Sequence, residues 1–578
     1  MNKTWLRSRK ALALAAAVFC SIGTVGMVTS WADEQSQAGG TAAAESAEAP
    51  VEFVPLVSAS ITSCTITADK KNIRITANGS GDTTGTDGKM YLFELQPYED
   101  GIGGRTDYIT SEQTAMGASF TVSLNHGTTS DRLYSKFVMA VYDVEGQKYM
   151  EVSQPHYVTN PEVIAPNQTA FKEALTKKGL NIELDMLADA FELGVKHAST
   201  NIAFSQIMGS GIEYTYDGKV YHFNKEVVDA YDKTISSMSN KGMTVTAIIL
   251  NDWNPATPDL VYPGTQKWSK AFYYMFNAAN QKGFEETRAI AAFLAEHYNG
   301  SNPNAGKVSN WIIGNEINNQ QWNYMGPKDL TSYVKAYQQA FRVFYTAIKS
   351  TSANDRVYFS LDYYWNTAGD GQLRYTGREI MDSFNSIANE QGQMEWGLAY
   401  HPYPHPMTDP EFWDDAAQGV ITGDFNSPII NFANINVLTD YLNRDVYKTA
   451  DGSVRHVILT EEGFTSYTAA RGNVADIQAA AYAYSYYLVD SNPYIDAYIL
   501  SRQVDAPEEG DLRFGLWECD RSQTTKHIAT NRKKIWSVFK NIDKKDQTLA
   551  NTEFAKSIIG MNKWSDVVPN FKWKSLEQ

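Results

Sequence analysis

Lys307-Val308-Ser309-Asn310-Trp311-Ile312-Ile313-Gly314-Asn315-Glu316 is an apolar run that ends in a carboxylate, and Arg455-His456-Val457-Ile458-Leu459-Thr460-Glu461-Glu462-Gly463-Phe464 repeats the pattern. Short runs rich in branched residues and closed by Gly or a polar residue read as buried parallel strands. Both glutamates therefore fall at strand C-terminal ends. In a (β/α)8 barrel that end carries the active site, and two glutamates brought together there can act as acid/base and nucleophile on a glycosidic bond.

Working outward, strands are expected at Lys178 to Ile182, Lys196 to Phe204, Met243 to Leu250, Ser309 to Glu316, Arg356 to Asp362, Met394 to His401, His456 to Glu461 and Ile495 to Ser501. Amphipathic segments fall between them, including Leu184 to Leu193, Lys225 to Asn240, Thr287 to His297, Leu330 to Ser350 and Ile477 to Leu488. Eight βα units without a Gly-rich phosphate turn predict a closed (β/α)8 TIM barrel over 166–545, not an open doubly wound sheet. Residues 546–578 are expected to pack on that barrel as a C-terminal segment.

Between 51 and 160 the texture differs. Short alternating runs recur at Ser60 to Thr67, Asn72 to Ala77, Met90 to Leu95, Ser119 to Leu124, Lys136 to Tyr142 and Lys148 to Ser153, separated by loops rich in Gly, Asp and Thr. That spacing predicts an N-terminal β-sandwich of immunoglobulin or fibronectin type, serving as a spacer or a carbohydrate-binding module. Ahead of it, basic Lys3, Arg7, Arg9 and Lys10 precede an apolar stretch and the small-residue site Ser30-Trp31-Ala32, the pattern of a secretory signal peptide over 1–32. Residues 33–50, poor in anything to bury, read as a disordered linker. Cys20 would leave with the signal. Cys64 and Cys519 then remain, which is no disulfide framework. The expected product is secreted, monomeric and without a transmembrane anchor once the signal is cleaved.

The formal net charge of -16 excludes nucleic acid and anionic membrane surfaces as natural partners, because both would repel the chain. The 34 Tyr and 13 Trp suit a carbohydrate substrate, since flat rings with a polar handle stack on sugar faces, although most rings in a large barrel are core.

Trp311-Ile312-Ile313-Gly314-Asn315-Glu316 resembles the fourth-strand signature of clan A glycoside hydrolases, and Leu459-Thr460-Glu461-Glu462-Gly463-Phe464 is similar to the seventh-strand signature. The resemblance covers the barrel, and the chain as a whole also resembles an uncharacterised group of secreted bacterial proteins filed as a domain of unknown function. It implies a retaining, two-glutamate glycosidase, with Glu316 as acid/base and Glu461 as nucleophile. His401-Pro402-Tyr403 matches a His-x-Tyr pattern of the clan, which implies that Tyr403 bonds the nucleophile and that His401 lines the subsite. Asn315 is the candidate for the sugar 2-hydroxyl, and Asn201, Trp253, Trp322, Trp365 and Arg502 are further candidate substrate contacts. Arg502 could equally pair with Asp505. Glu462 competes with Glu461, because adjacent strand residues face opposite ways; the Glu-x-Gly spacing favours Glu461. Where the clan often ends strand eight in Trp, this chain reads Leu500-Ser501-Arg502-Gln503.

No cofactor and no metal are expected. Prolines between His401 and His405 forbid a helix that would put both imidazoles on one face, and no third ligand is evident. A non-catalytic carbohydrate-binding or adhesion protein on the same barrel is the runner-up. A metal-dependent deacetylase or other esterase lacks both a ligand cluster and a nucleophile Ser motif.

Overall fold

The computed structural model describes residues 56–114 and 116–571, so the expected signal peptide, the linker, the first residues of the sandwich and the last seven residues lie outside it. Eight strands precede the barrel: β1 (Ser58–Ile66), β2 (Asn72–Ser80), β3 (Met90–Leu95), β4 (Thr110–Glu112), β5 (Gly117–Ser123), β6 (Lys136–Asp143), β7 (Lys148–Glu151) and β8 (His156–Tyr157). They form two antiparallel sheets, β1-β2-β5 and β4-β3-β6-β7, with β8 pairing β6. Alternation explains the packing. Ile73, Ile75, Phe120 and Val122 of one sheet share a buried cluster with Met90, Leu92, Phe137 and Met139 of the other, while Tyr91, Phe93, Val138 and Ala140 face the opposite way into a second cluster.

The barrel closes in chain order from β9 (Lys178–Asn181), β10 (His197–Ala203), β13 (Thr244–Leu250), β14 (Asn310–Ile313), β15 (Arg356–Asp362), β16 (Trp396–His401), β17 (Val457–Glu462) and β20 (Ile495–Leu500). The remaining strands form excursions: hairpin β11 (Gly211–Tyr216) with β12 (Lys219–Asn224), β18 (Tyr467–Thr468) with β19 (Gly472–Asn473), and β21 (Trp517–Cys519) with β22 (Ala529–Arg532). Side chains alternate between two layers. Ile248, Ile312, Tyr358, Ala399, Ile458 and Ile499 fill the interior, and Ile249, Ile313, Phe359, Tyr400, Leu459 and Tyr498 join the shell beneath the helices. Helix starts are fixed by side chains as their sequences require; Asp329 caps Leu330–Thr351 at Ser332 N, and Thr376 with Glu379 makes a capping box for Gly377–Gln391.

Apolar contacts join the parts. Tyr98 and Tyr134 lie 5.8 and 6.1 Å from Phe284, and the Arg342 guanidinium lies 4.5 Å over Tyr157. At the other end, Tyr487 of helix Ala475–Ser491 exchanges hydrogen bonds with Thr548 and Thr552 of helix Thr548–Ile559. Among the described residues no helix is long and apolar enough to cross a membrane.

The strand expected over Ser309 to Glu316 stops at Ile313. Gly314 (φ 80°) and Glu316 (φ 38°) adopt left-handed backbone, which turns the chain off the strand and across the barrel mouth. For a glutamate that conformation costs about 1–3 kcal/mol, so its surroundings must hold it there.

Candidate active site

Glu316 is held from both sides of β14. Inside, its N–H donates to Ser360 Oγ at 2.6 Å, and Ile317 N–H donates to the Ser360 carbonyl at 3.0 Å. Outside, Tyr333 donates to the Ile317 carbonyl at 2.8 Å, and Tyr337 donates to that of Ile313. The carboxyl then meets His401, which ends β16: Nδ1 lies 2.8 Å from Glu316 Oε1 and 3.9 Å from Glu461 Oε2. The two carboxylates thus share one imidazole, and those oxygens can be no farther apart than the two legs together. Tyr403 donates to Glu461 Oε1 at 3.2 Å, and His401 Nε2 lies 3.2 Å from Thr460 Oγ1.

Strict alternation would send Glu461 out of the barrel. Ile458 points inward, so Thr460 and Glu462 should follow it. Instead the β17 to β20 register slips: Leu459 pairs Tyr498 and Glu462 pairs Leu500, three steps on one strand against two on the other. The extra residue lets Thr460 and Glu461 both reach the mouth and turns Glu462 toward the shell, where it lies near Tyr482 and Tyr498. Burial pushes the Glu462 carboxyl well above the usual range. Gly463 follows because a Cβ there would meet the Phe514 ring at 2.7 Å, and Phe514 in turn stacks on Tyr403 with centroids 5.8 Å apart.

Burial pushes Glu316 up to about 7, opposed only by the charge of Arg374. Glu461 is also raised by burial and by the Glu316 charge, but His401, Arg502 and the Tyr403 hydroxyl all pull it back. Burial lowers His401 below its ordinary value, against the charges of Glu461 and Asp362, which work to raise it. A third carboxyl, Asp362 at the end of β15, faces the same group. It is pushed to about 7 by burial and by Glu316, against hydrogen bonds from Asn318 Nδ2 at 2.6 Å and Tyr364 N at 2.9 Å. Sequence reasoning passed over Asp362, although Val357-Tyr358-Phe359-Ser360-Leu361-Asp362 is again an apolar run closed by a carboxylate. It also passed over Ser360, Thr460 and Asn318, whose single polar side chains carry no pattern.

Among the other expected contacts, Asn315 is buried next to Glu316, and Asn201 lies half-buried on β10 opposite Ile248. Trp322 is half-buried at the mouth, stacked on Phe272 with centroids 4.6 Å apart and packed on the barrel interior cluster. Trp253 is half-buried against Tyr274. Two expectations are corrected. Trp365 is 0% exposed, donates its indole N–H to the Phe425 carbonyl and sits edge-on to Tyr441, so it packs a loop and offers no face to a ligand. Arg502 is buried and bonds Glu509, not Asp505, which pairs with Lys533. Beside it His527 bridges Glu183 and Glu508 at 2.6 and 2.8 Å, tying the loop after β20 to the end of β9; these carboxylates outweigh burial and raise the imidazole to about 9. His405 donates its backbone N–H to Asp415, as a turn residue. Among the described residues no cluster of His, Cys, Asp and Glu could hold a metal ion.

A family model described as a family of unknown function, DUF5722, matches residues 170–567. No curated protein matches the sequence. Similar solved structures include a family 39 glycoside hydrolase from the gut symbiont Bacteroides cellulosilyticus WH2, at 15% identity and a TM-score of 0.43, covering 83% of this chain and 82% of that one. A family 1 β-glucosidase from Thermotoga maritima is similar at 15% identity and a TM-score of 0.38, covering 64% of this chain and 86% of its own. The β-glucosidase of the same organism in complex with glucoimidazole gives 16% identity and a TM-score of 0.39, with coverage of 64% and 86%.

Proposed function

We propose that this chain, which belongs to the family of unknown function DUF5722, hydrolyses glycosidic bonds with retention of anomeric configuration and is secreted to do so. The observation that carries the reading is the sharing of His401 by Glu316 and Glu461, from the ends of strands four and seven, with Tyr403 donating to Glu461. Glu316, raised by burial, gives its proton to the glycosidic oxygen as that bond to the anomeric carbon breaks. Glu461 attacks the same carbon and forms the glycosyl-enzyme. Glu316, now ionised, takes a proton from water, whose oxygen attacks the anomeric carbon and releases Glu461.

His401 allows both states of Glu316. With its proton on Nδ1 and the Thr460 hydroxyl donating to Nε2, the imidazole donates to Glu316 Oε1 and leaves Oε2 to carry the catalytic proton. Tyr403 stabilises the charge on Glu461 and aims it. Tyr403→Phe is expected to keep the fold and lower kcat by about 10- to 100-fold, because the donated bond is to a charged group whose charge changes during the reaction. Stopped assays on a responsive substrate read this directly, and unchanged kinetics would remove Tyr403 from the site.

The test of the whole reading is a panel of polysaccharides and activated aryl glycosides, with products identified by mass spectrometry and the first-formed anomer by NMR. Retention is the expected outcome. An inverted first product would make Glu461 a base that activates water, and no cleavage of any glycoside would leave the barrel a carbohydrate-binding protein.

A further inference from the structure

The turn that carries Glu316 is tied to β15 by more than Ser360. Asn318 meets Asp362 in both directions: its Nδ2 donates to Asp362 Oδ1 at 2.6 Å, and its Oδ1 accepts from Asp362 N–H at 3.1 Å. Both residues are buried, and the Cα partner of Asp362 in the next strand is His401, the imidazole bonded to Glu316. Residues 316, 317 and 318 are therefore all anchored on Ser360 and Asp362, at the end of one strand. Such anchoring is what a left-handed glutamate requires.

We propose that Asn318 and Asp362 form a latch that positions Glu316, holding residues 314–318 on the one backbone path that carries its carboxyl into the mouth and setting the Asp362 carboxyl beside it. The inference rests on the reading of Glu316 as the acid/base. Asp362 does not merely complete a hydrogen-bond pair, since an amide could accept the same bond from Asn318. It brings a charge. The groups that face Glu316 are His401 from β16, Glu461 from β17, Asp362 and Tyr363 from the β15 end, and Arg374 from the loop beyond. Two interacting buried carboxyls resist ionising together, and it is the Glu316 charge that raises Asp362, so the two do not titrate as independent acids. Arg374 acts in the opposite direction on both.

The experiment uses the full chain and a sugar that the wild type accepts, offered as its 2,4-dinitrophenyl glycoside, which needs no acid, and as its methyl glycoside, which does. Asn318→Ala is expected to lower kcat/KM for the methyl glycoside by about 10- to 100-fold and to lower it far less for the dinitrophenyl glycoside, because a misplaced acid matters only where a proton is needed. Asp362→Asn keeps the bond to Asn318 and removes the interacting carboxyl, so the basic limb of its pH profile should move; it carries the test if Asn318→Ala does not fold. Equal losses on both substrates with an unmoved profile would reduce the latch to ordinary packing and overturn the proposal. Glu316→Ala is run in parallel. If that variant itself does not discriminate between the two leaving groups, the acid/base reading has failed, and the latch falls with it.

Discussion

Glu461→Ala is expected to reduce turnover by about 10^4-fold or more on every substrate, activated or not, while the chain still folds. The loss is general because the variant cannot form the covalent intermediate, whatever the leaving group. Neighbouring carboxyls do not replace it. Glu462 is turned into the helix shell by the extra residue in β17, and Asp362 stands on the Glu316 side, bonded to Asn318. Stability should change little or rise, since burial works against the Glu461 charge and the alanine removes that penalty together with the Tyr403 bond. Initial rates on a dinitrophenyl glycoside and a thermal melt measure both. Glu462→Gln is the control one residue away, and it should keep turnover within a few-fold. Activity of Glu461→Ala within tenfold of the wild type, or a collapse confined to Glu462→Gln, would move the nucleophile.

That control marks a boundary between what sequence carries and what only structure supplies. Most barrel strands are legible because their physics is local: a parallel strand covered on both faces favours a short branched run, as β13, β14 and β17 are, whereas β9 (Lys178–Asn181) and β10 (His197–Ala203) are not. Carboxylates that end such runs are legible for the same reason, which is why Glu316 and Glu461 stand out and why Asp362 should have. The choice between Glu461 and Glu462 is different. Alternation alone points the wrong way from Ile458, and the bulge that corrects it depends on pairing with β20, a strand more than thirty residues on. Gly463 is the one local trace of that packing, since it leaves room for Phe514. Loop aromatics show the opposite failure. Trp322 and Trp365 both follow barrel strands, yet one lies half-buried at the mouth and the other lies wholly beneath a loop, a distinction set by residues around Phe272 and Phe425 far away in sequence. The pairing of Arg502 with Asp505 is misread for a similar reason, because its partner Glu509 arrives only when the loop after β20 folds back.

Glu316→Ala should split substrates by leaving group. Without the acid, a glycoside of a poor leaving group is expected to lose about 10^2- to 10^4-fold in kcat/KM, the usual contribution of a positioned acid, whereas a dinitrophenyl glycoside should still form the glycosyl-enzyme. That intermediate then waits on water without a base, so kcat falls and KM falls with it. Azide, a nucleophile that needs no deprotonation, should restore turnover and be recovered as the glycosyl azide of retained configuration. In the wild type the same residue governs the basic limb of the pH profile. Its carboxyl must be protonated to act as acid, burial raises it to about 7, and kcat/KM is therefore expected to fall as pH rises through that region. The limb should be absent from Glu316→Ala acting on the dinitrophenyl glycoside, because no acid remains to titrate. A basic limb that survives this substitution unchanged would assign the proton to another group, and the shared imidazole of His401 would then serve binding instead of bond cleavage.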